Sequence, residues 1–241
     1  MKILAVAFAY NEIKYIADMI KYYRDQGCDI FILDNHSIDG TREWLIKNKV
    51  RTSICKTGGL FHLLQLQDGL IKAIREIKPD WIVYTGIDII YSFDGTIRET
   101  IEKADKGGYN IIGVRHFNMH NTGEQFVIPN KDHFFYARKG NMLYMIAKYQ
   151  EPFSFNADSI VIKGRKVLNV DGVLINYGNC KPKAEREHTF RRRSRAWDAG
   201  LDRNYGVHYL EGHEKGWIWN KNELIDIRKT EYYKYIKKVK L

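Results

Sequence analysis

Residues 2–9, KILAVAFA, form a nearly unbroken apolar run with β-branched members. A strand that is apolar on both faces has no solvent side. It must be covered above and below, which is the situation of a parallel sheet flanked by helices. The sequence after it continues that pattern. Ile13, Ile16, Ala17, Ile20 and Tyr23 follow helical spacing, so 12–26 reads as an amphipathic helix closed by Gly27. Asp29–Asp34 (DIFILD) is a second strand, and 41–49 a second helix with Asp39 or Thr41 as its N-cap. Residues 62–77 place Leu63, Leu66, Leu70, Ile74 and Ile77 on one stripe of a third helix, and 81–85 (WIVYT) is a further strand. Alternation of strand and helix predicts a doubly wound α/β sheet. The second half is less regular: strands are expected at 110–115, 159–163 and 172–176, and a helix at 141–148.

With 44% hydrophobic residues in 241, the chain can bury a sizeable core, which excludes disorder. Four prolines, no Ser/Gly linker, no repeat and no low-complexity tract leave no clean domain boundary. Cys28, Cys55 and Cys180 are odd in number and too far apart for a zinc knuckle. They read as reduced, buried thiols of a cytoplasmic protein. The N-terminal apolar run is too short to span a membrane and passes directly into Asn11 and Glu12, so it is a strand and not a signal peptide. The net charge is +10, and residues 181–241 hold 16 Lys+Arg against 9 Asp+Glu. A basic end predicts an anionic partner, whether nucleic acid, an acidic membrane surface or a phosphorylated substrate. The last twelve residues, 230–241, put Tyr232, Tyr235, Ile236 and Val239 on one face of a short helix ringed by Lys234, Lys237, Lys238 and Lys240. Such a helix either lies on an anionic membrane or packs against the domain.

In open α/β sheets, ligands bind beyond the carboxyl ends of the strands. Three polar clusters fall there: Tyr10-Asn11-Glu12, Asp34 through Thr41, and Gly86-Ile87-Asp88. Each has an ordinary reading as a cap or turn. Asp34, however, directly ends a buried strand, and a carboxylate there is costly without a partner. A base or ribose edge, rich in N–H and O–H donors, suits it.

AYNE at 9–12, the amphipathic helix after it, and DNHSIDGT at 34–41 together resemble the opening of family-two glycosyltransferases of the GT-A fold. The similarity is to small bacterial and viral members with a late His–aromatic–Arg motif. It covers about 120 N-terminal residues well and the remainder loosely. The resemblance implies nucleotide contacts at Ala9, Tyr10, Glu12, Asp34, Asn35 and Ser37. The nucleotide-sugar set further takes in Asn11, Gln67, Gly86, Ile87 and Arg192. The family carries Asp-x-Asp after an apolar strand headed by Trp; here Asp88 matches the second aspartate and Gly86 stands in place of the first. One carboxylate, diphosphate oxygens and water can still hold Mg²⁺ or Mn²⁺. The segment 187–194 (EHTFRRRS) is similar to the late motif, with Thr189 where an aromatic is usual. His188 would then join Asp88 at the metal, and the arginines would neutralise a leaving nucleoside diphosphate. A solvated basic helix is the competing reading of that run. His116, His120, His133, His208 and His213 have no motif around them.

The expected chemistry is therefore inverting, metal-assisted transfer of a sugar from a nucleoside-diphosphate sugar to a hydroxyl on a glycan or lipid-linked glycan. Asp158 and Glu187 are the base candidates, ahead of Glu124 and Asp132. One catalytic domain is expected over 1–229, with a donor half (1–120) and an acceptor half (121–229) containing aromatics such as Phe153, Phe155 and Trp197, followed by the basic tail 230–241. The location expected is cytoplasmic, with peripheral membrane contact through that tail. A nucleotidyltransferase would carry a Gly-rich basic loop after the first strand, where AYNE has none. A nucleic-acid-binding module is one rival on charge alone, but no RNP-like, KH-like or zinc-finger pattern occurs, so no nucleic-acid partner is expected. A catalytically degenerate protein that only binds a nucleotide-sugar is the other, made possible by Gly86.

Overall fold

A computed structural model describes residues 1–57, 60–119, 136–156, 159–181, 185, 188–189 and 225–239. Its centre is β1 (Ile3–Ala9), buried along nearly its whole length as its two-sided apolar sequence requires. On one side β1 pairs in parallel with β2 (Asp29–Asp34), from Leu4 opposite Asp29 to Ala9 opposite Asp34. On the other it pairs in parallel with β4 (Trp81–Tyr84), from Ile3 opposite Trp81 to Val6 opposite Tyr84. β3 (Arg51–Ile54), which the sequence did not announce, extends the parallel part beyond β2. These registers bring the carboxyl ends of β1, β2 and β4 to one edge.

Three helices connect these strands. α1 (Ile16–Asp25) buries Ile16, Met19, Ile20 and Tyr23. It starts later than the spacing predicts, because residues 12–15 form a turn in which the Glu12 carbonyl accepts the amides of Tyr15 and Ile16. Gly27, at φ +80°, closes it as expected. α2 (Thr41–Lys47) has Gly40 as its N-cap, and the Asp39 carboxylate instead accepts from the Thr41 amide and hydroxyl. α3 (Leu63–Ile77) buries the expected stripe at Leu63, Leu66, Leu70 and Ile74.

Beyond β4 the sheet becomes mixed. β5 (Ile89–Phe93) follows a tight turn, and α4 (Ile97–Lys106) is opened by a capping box between Thr96 and Glu99. β6 (Ile111–Met119), β7 (Tyr136–Lys148), β8 (Phe153–Asn156), β9 (Ser159–Ile162) and β10 (Val167–Asn176) complete the second half. The order is β3-β2-β1-β4-β7-β6-β10-β5. This is the α/β sheet flanked by helices that the alternation of strand and helix predicts, parallel on both sides of β1 and mixed beyond β4.

Two expectations are corrected. Residues 141–148 are strand, not helix: β7 runs antiparallel to both β4 and β6. Met, Leu and Ala favour helix weakly, but Met145, Ile146 and Ala147 are buried between two strands, and the pairing outweighs that preference. The C-terminal segment is also different from the helix expected over 230–241. β11 (Ile225–Asp226) pairs with β7, and α5 (Tyr233–Ile236) is a single turn. Tyr235 and Val239 pack into a second core cluster with Ile90, Phe117, Val173 and Ile175. The Ser92 hydroxyl donates to the Tyr235 carbonyl at 2.7 Å, and Lys238 reaches Asp94 at 2.8 Å. The apolar face that a membrane reading needs is therefore turned to the sheet. No helix among the described residues is long and apolar enough to cross a membrane. All three cysteines are buried, as expected, and burial pushes the Cys28 thiol up to about 12.

Candidate functional site

The polar ends of β1 and β2 are hydrogen-bonded to each other. Asn11 sits at φ +56°, a conformation Asn tolerates better than most residues. Its amide donates to Ser37 Oγ at 2.9 Å, and its side-chain oxygen accepts from the Ile38 amide at 2.9 Å. The Glu12 amide donates to Thr41 Oγ1 at 2.8 Å. The Asn35 amide donates to the Ala9 carbonyl at 2.8 Å, while its side chain is held by Thr57 and the Leu60 carbonyl. Asp34 is completely buried; both its oxygens share the Ser37 amide, at 3.3 and 3.2 Å. Ala9, Asn11, Glu12, Asp34, Asn35 and Ser37 thus form one bracket. Its covered members fix the turn, and half-buried Tyr10, Asn11 and Glu12 present its surface.

The third cluster joins this bracket through a residue the sequence reading missed. Lys181 donates to both Glu12 oxygens at 2.8 and 2.9 Å and lies 3.4 Å from Asp88 Oδ2. Its ammonium stands 5.1 Å from the centroid of the Tyr15 ring. The Tyr15 hydroxyl donates to Glu185 at 2.9 Å, and Lys14 pairs with the same carboxylate at 2.6 Å. Two constraints seat Lys181. The Tyr177 amide donates to the Asp88 carbonyl at 2.8 Å, and a 3₁₀ turn at Gly178–Cys180 brings the chain back toward Glu12. Gly178 has to be small here, since a Cβ would lie 2.9 Å from Asp88 Oδ2. Burial raises the Glu12 carboxyl above its ordinary range, with Lys181 opposing and nearby Asp88 adding to the shift. Burial alone would lower the Lys181 ammonium, but Asp88 and Glu12 outweigh it and hold it above its usual value.

Gly86 and Ile87 sit in the turn that presents Asp88, Ile87 buried and Gly86 half-buried. A Cβ on Gly86 would lie 3.0 Å from Asp88 Oδ1 and 3.2 Å from Ile89, so the place of a first aspartate is already crowded. Gln67 is buried on α3. His188 is exposed, its ring stacked on Tyr10 with centroids 6.2 Å apart and planes 6° apart. Asp158, Glu187 and Arg192 lie outside the described residues. Among the described residues no group of three or more His, Cys, Asp and Glu side chains is arranged to hold a metal ion. With its oxygens facing an ammonium, the Asp88–Glu12 pair does not fit a divalent cation while Lys181 is seated. A cleft of about 830 Å³ runs elsewhere, along β3 and α3 past Arg51, Ser53, Gln65 and Lys72, and is not lined by the strand-end cluster.

Over 116 residues the chain is 30% identical to glycosyltransferase AglJ of Haloferax volcanii, which covers 46% of this chain and 35% of that one. The chain thus spans about a third of the curated relative it matches. A solved TarS fragment from S. aureus is similar over 88% of this chain and 68% of its own, at 13% identity and a TM-score of 0.49. Glucosyl-3-phosphoglycerate synthase from Mycobacterium tuberculosis, solved with Mn²⁺ and uridine diphosphate, is similar over 48% of this chain and 44% of its own, at 18% identity and a TM-score of 0.33. The sequence model described as Glycosyl transferase family 2 matches residues 5–160, from the core of β1 through the strand-end clusters to β9. With most of the chain under that match, and the bracket of β1 and β2 inside it, the protein belongs to glycosyl transferase family 2.

Proposed function

We propose that the chain moves a sugar from a nucleoside-diphosphate sugar to a hydroxyl acceptor, a glycan or lipid-linked glycan, with inversion at the anomeric carbon. The observation that carries this reading is the hydrogen-bonded bracket of Asn11, Asp34 and Ser37, joined through Glu12 and Lys181 to Asp88 at one sheet edge. Tyr10 and Asn11 would meet the nucleoside, and the Lys181–Asp88 side the diphosphate. The acceptor oxygen forms the new bond to the anomeric carbon as the bond to the diphosphate oxygen breaks. The acceptor proton passes to a carboxylate, for which Asp158 and Glu187 are the candidates. Arg192 would offset charge on the leaving group. The resemblance implies Mn²⁺ or Mg²⁺ on Asp88 and His188, a place that the seated Lys181 ammonium does not suit.

Calorimetric titration with a panel of nucleoside diphosphates, together with hydrolysis of their sugar conjugates, tests the reading. At least one diphosphate should bind to the wild type, and Asp34→Ala should weaken it by about tenfold to a hundredfold, the worth of a charge-assisted hydrogen bond. Wild-type affinity in Asp34→Ala would sink the site assignment.

A further inference from the structure

Lys181 occupies the space and the charge position that a divalent ion on Asp88 would need. Its ammonium is 2.8 and 2.9 Å from the two Glu12 oxygens and 3.4 Å from Asp88 Oδ2. It is not a surface lysine that swings aside, because its side chain is 11% exposed. The chain just before it is anchored by Cys180, which is fully buried, and by the Tyr177–Asp88 backbone bond. Gly86 contributes no carboxylate, and the space above it is closed by Asp88 and Ile89. A dication placed on Asp88 would meet an ammonium already paired with the same carboxylate, and like charges in a partly dry site repel strongly.

We propose that Lys181 is the resident cation of the nucleotide site, seated on Glu12 and Asp88 in the position of a divalent ion, and that donor binding is independent of metal. The inference rests on the nucleotide-sugar reading and specifies it: the diphosphate meets a fixed ammonium instead of an exchangeable ion. An ammonium is a compact charge with three donors, the kind of group that meets phosphate as a point charge. In this site Glu12 is the anchor that aims it, and Asp88 is the looser, more exposed partner beside the ligand.

Two binding measurements on the full chain test this. The first titrates a nucleoside diphosphate in EDTA and again in Mn²⁺. The second follows Mn²⁺ uptake by the nucleotide-free protein, using the electron paramagnetic resonance of the free ion. Wild type should bind the diphosphate equally in both buffers and take up no Mn²⁺. Lys181→Met leaves Glu12 and Asp88 facing each other without a cation. Its affinity in EDTA should fall by about tenfold or more, roughly 1.4 kcal/mol, and recover in Mn²⁺. The free variant should now bind Mn²⁺. Lys181→Arg keeps the charge and should stay metal-independent. A wild type whose affinity rises about tenfold with Mn²⁺, or which takes up Mn²⁺ as well as Lys181→Met does, overturns the proposal. Should Lys181→Met fail to fold by circular dichroism, the wild-type comparison and Lys181→Arg decide it. Absence of any diphosphate binding by wild type removes the nucleotide-sugar reading, and the Mn²⁺ uptake of Lys181→Met against wild type then decides the cation position alone.

Discussion

Asp34 and Glu12 are two carboxylates placed by the same strand ends, and their surroundings give them different work. Asp34 is covered, and among the described residues it accepts the single Ser37 amide at long range. Replacing it by Asn keeps an acceptor for that amide and removes the charge. If Asp34 acts only by holding the turn, Asp34→Asn keeps nucleotide affinity; if its charge meets the nucleoside, Asn and Ala weaken binding alike. We expect the second outcome by calorimetry, because a buried carboxylate with one long amide bond retains acceptor capacity. Glu12 differs because its carboxyl is raised above 4.5, first by burial. A raised carboxyl means that the folded chain holds a proton that the unfolded chain has lost, so its contribution falls as pH climbs from about 4.5 through the folded value. Stability of wild type relative to Glu12→Gln should therefore decline across that window in urea unfolding series, and a rising difference would contradict the assignment. The sequence carried Asp34 and Glu12 legibly, since strand-terminal carboxylates stand out against an apolar run. It did not carry Lys181, which lies 169 positions from Glu12 and looks like one more charge in the basic stretch 181–241. Only Gly86, where a carboxylate is usual, hinted that another group had to balance the site.

Elements were legible where their apolar pattern had one interpretation. Asp29–Asp34 is a strand to the residue, because a short run buried on both faces and bounded by Gly27 and Asn35 has no helical alternative. Residues 141–148 failed because NMLYMIAK has no polar face, and only the neighbours β4 and β6 decide that it is a strand. α4 carries its own start signal, Thr96 with Glu99 three residues on, and the reciprocal bonds are present. Thr96→Ala should cost about 1 kcal/mol in urea unfolding, the usual worth of such a cap. β10 gives a stricter test. Gly172 lies opposite Phe93, and a Cβ there would stand 2.3 Å from the Phe93 ring and 2.9 Å from the Ser92 carbonyl. Gly172→Ala should destabilise by about 1–3 kcal/mol, because the ring and the backbone of β5 would both have to give way. An unchanged midpoint would mean that the β5–β10 pair is looser than its register implies.

At the scale of the whole molecule, the two ends of the chain close over one sheet. β1 is its centre, and residues 225–239 pair through β11 with the start of β7 and cover the second core cluster beside β5, β6 and β10. The basic amphipathic pattern of the tail is thus a core pattern in which Lys234, Lys237 and Lys238 are exposed, which periodicity alone cannot tell from a membrane-binding helix. Energetics separate the two. Tyr235 is 2% exposed and caps a cluster that contains Phe117, Ile175 and Cys180, so Tyr235→Ala removes a buried ring and should cost about 3–5 kcal/mol. A membrane anchor would behave in the opposite way. Its aromatic face would be free in solution, the same substitution would leave the melting temperature unchanged, and sedimentation with anionic vesicles would fall. We expect Tyr235→Ala to lower the melting temperature and to leave vesicle sedimentation at the wild-type level. The tail cluster is joined to the site, because β10 runs from it into the 3₁₀ turn that seats Lys181. Loosening the tail should then weaken nucleotide binding without any tail residue touching the ligand. Tyr235→Phe, which keeps the ring and removes the hydroxyl that reaches Asp94 at 3.3 Å, should restore both stability and affinity.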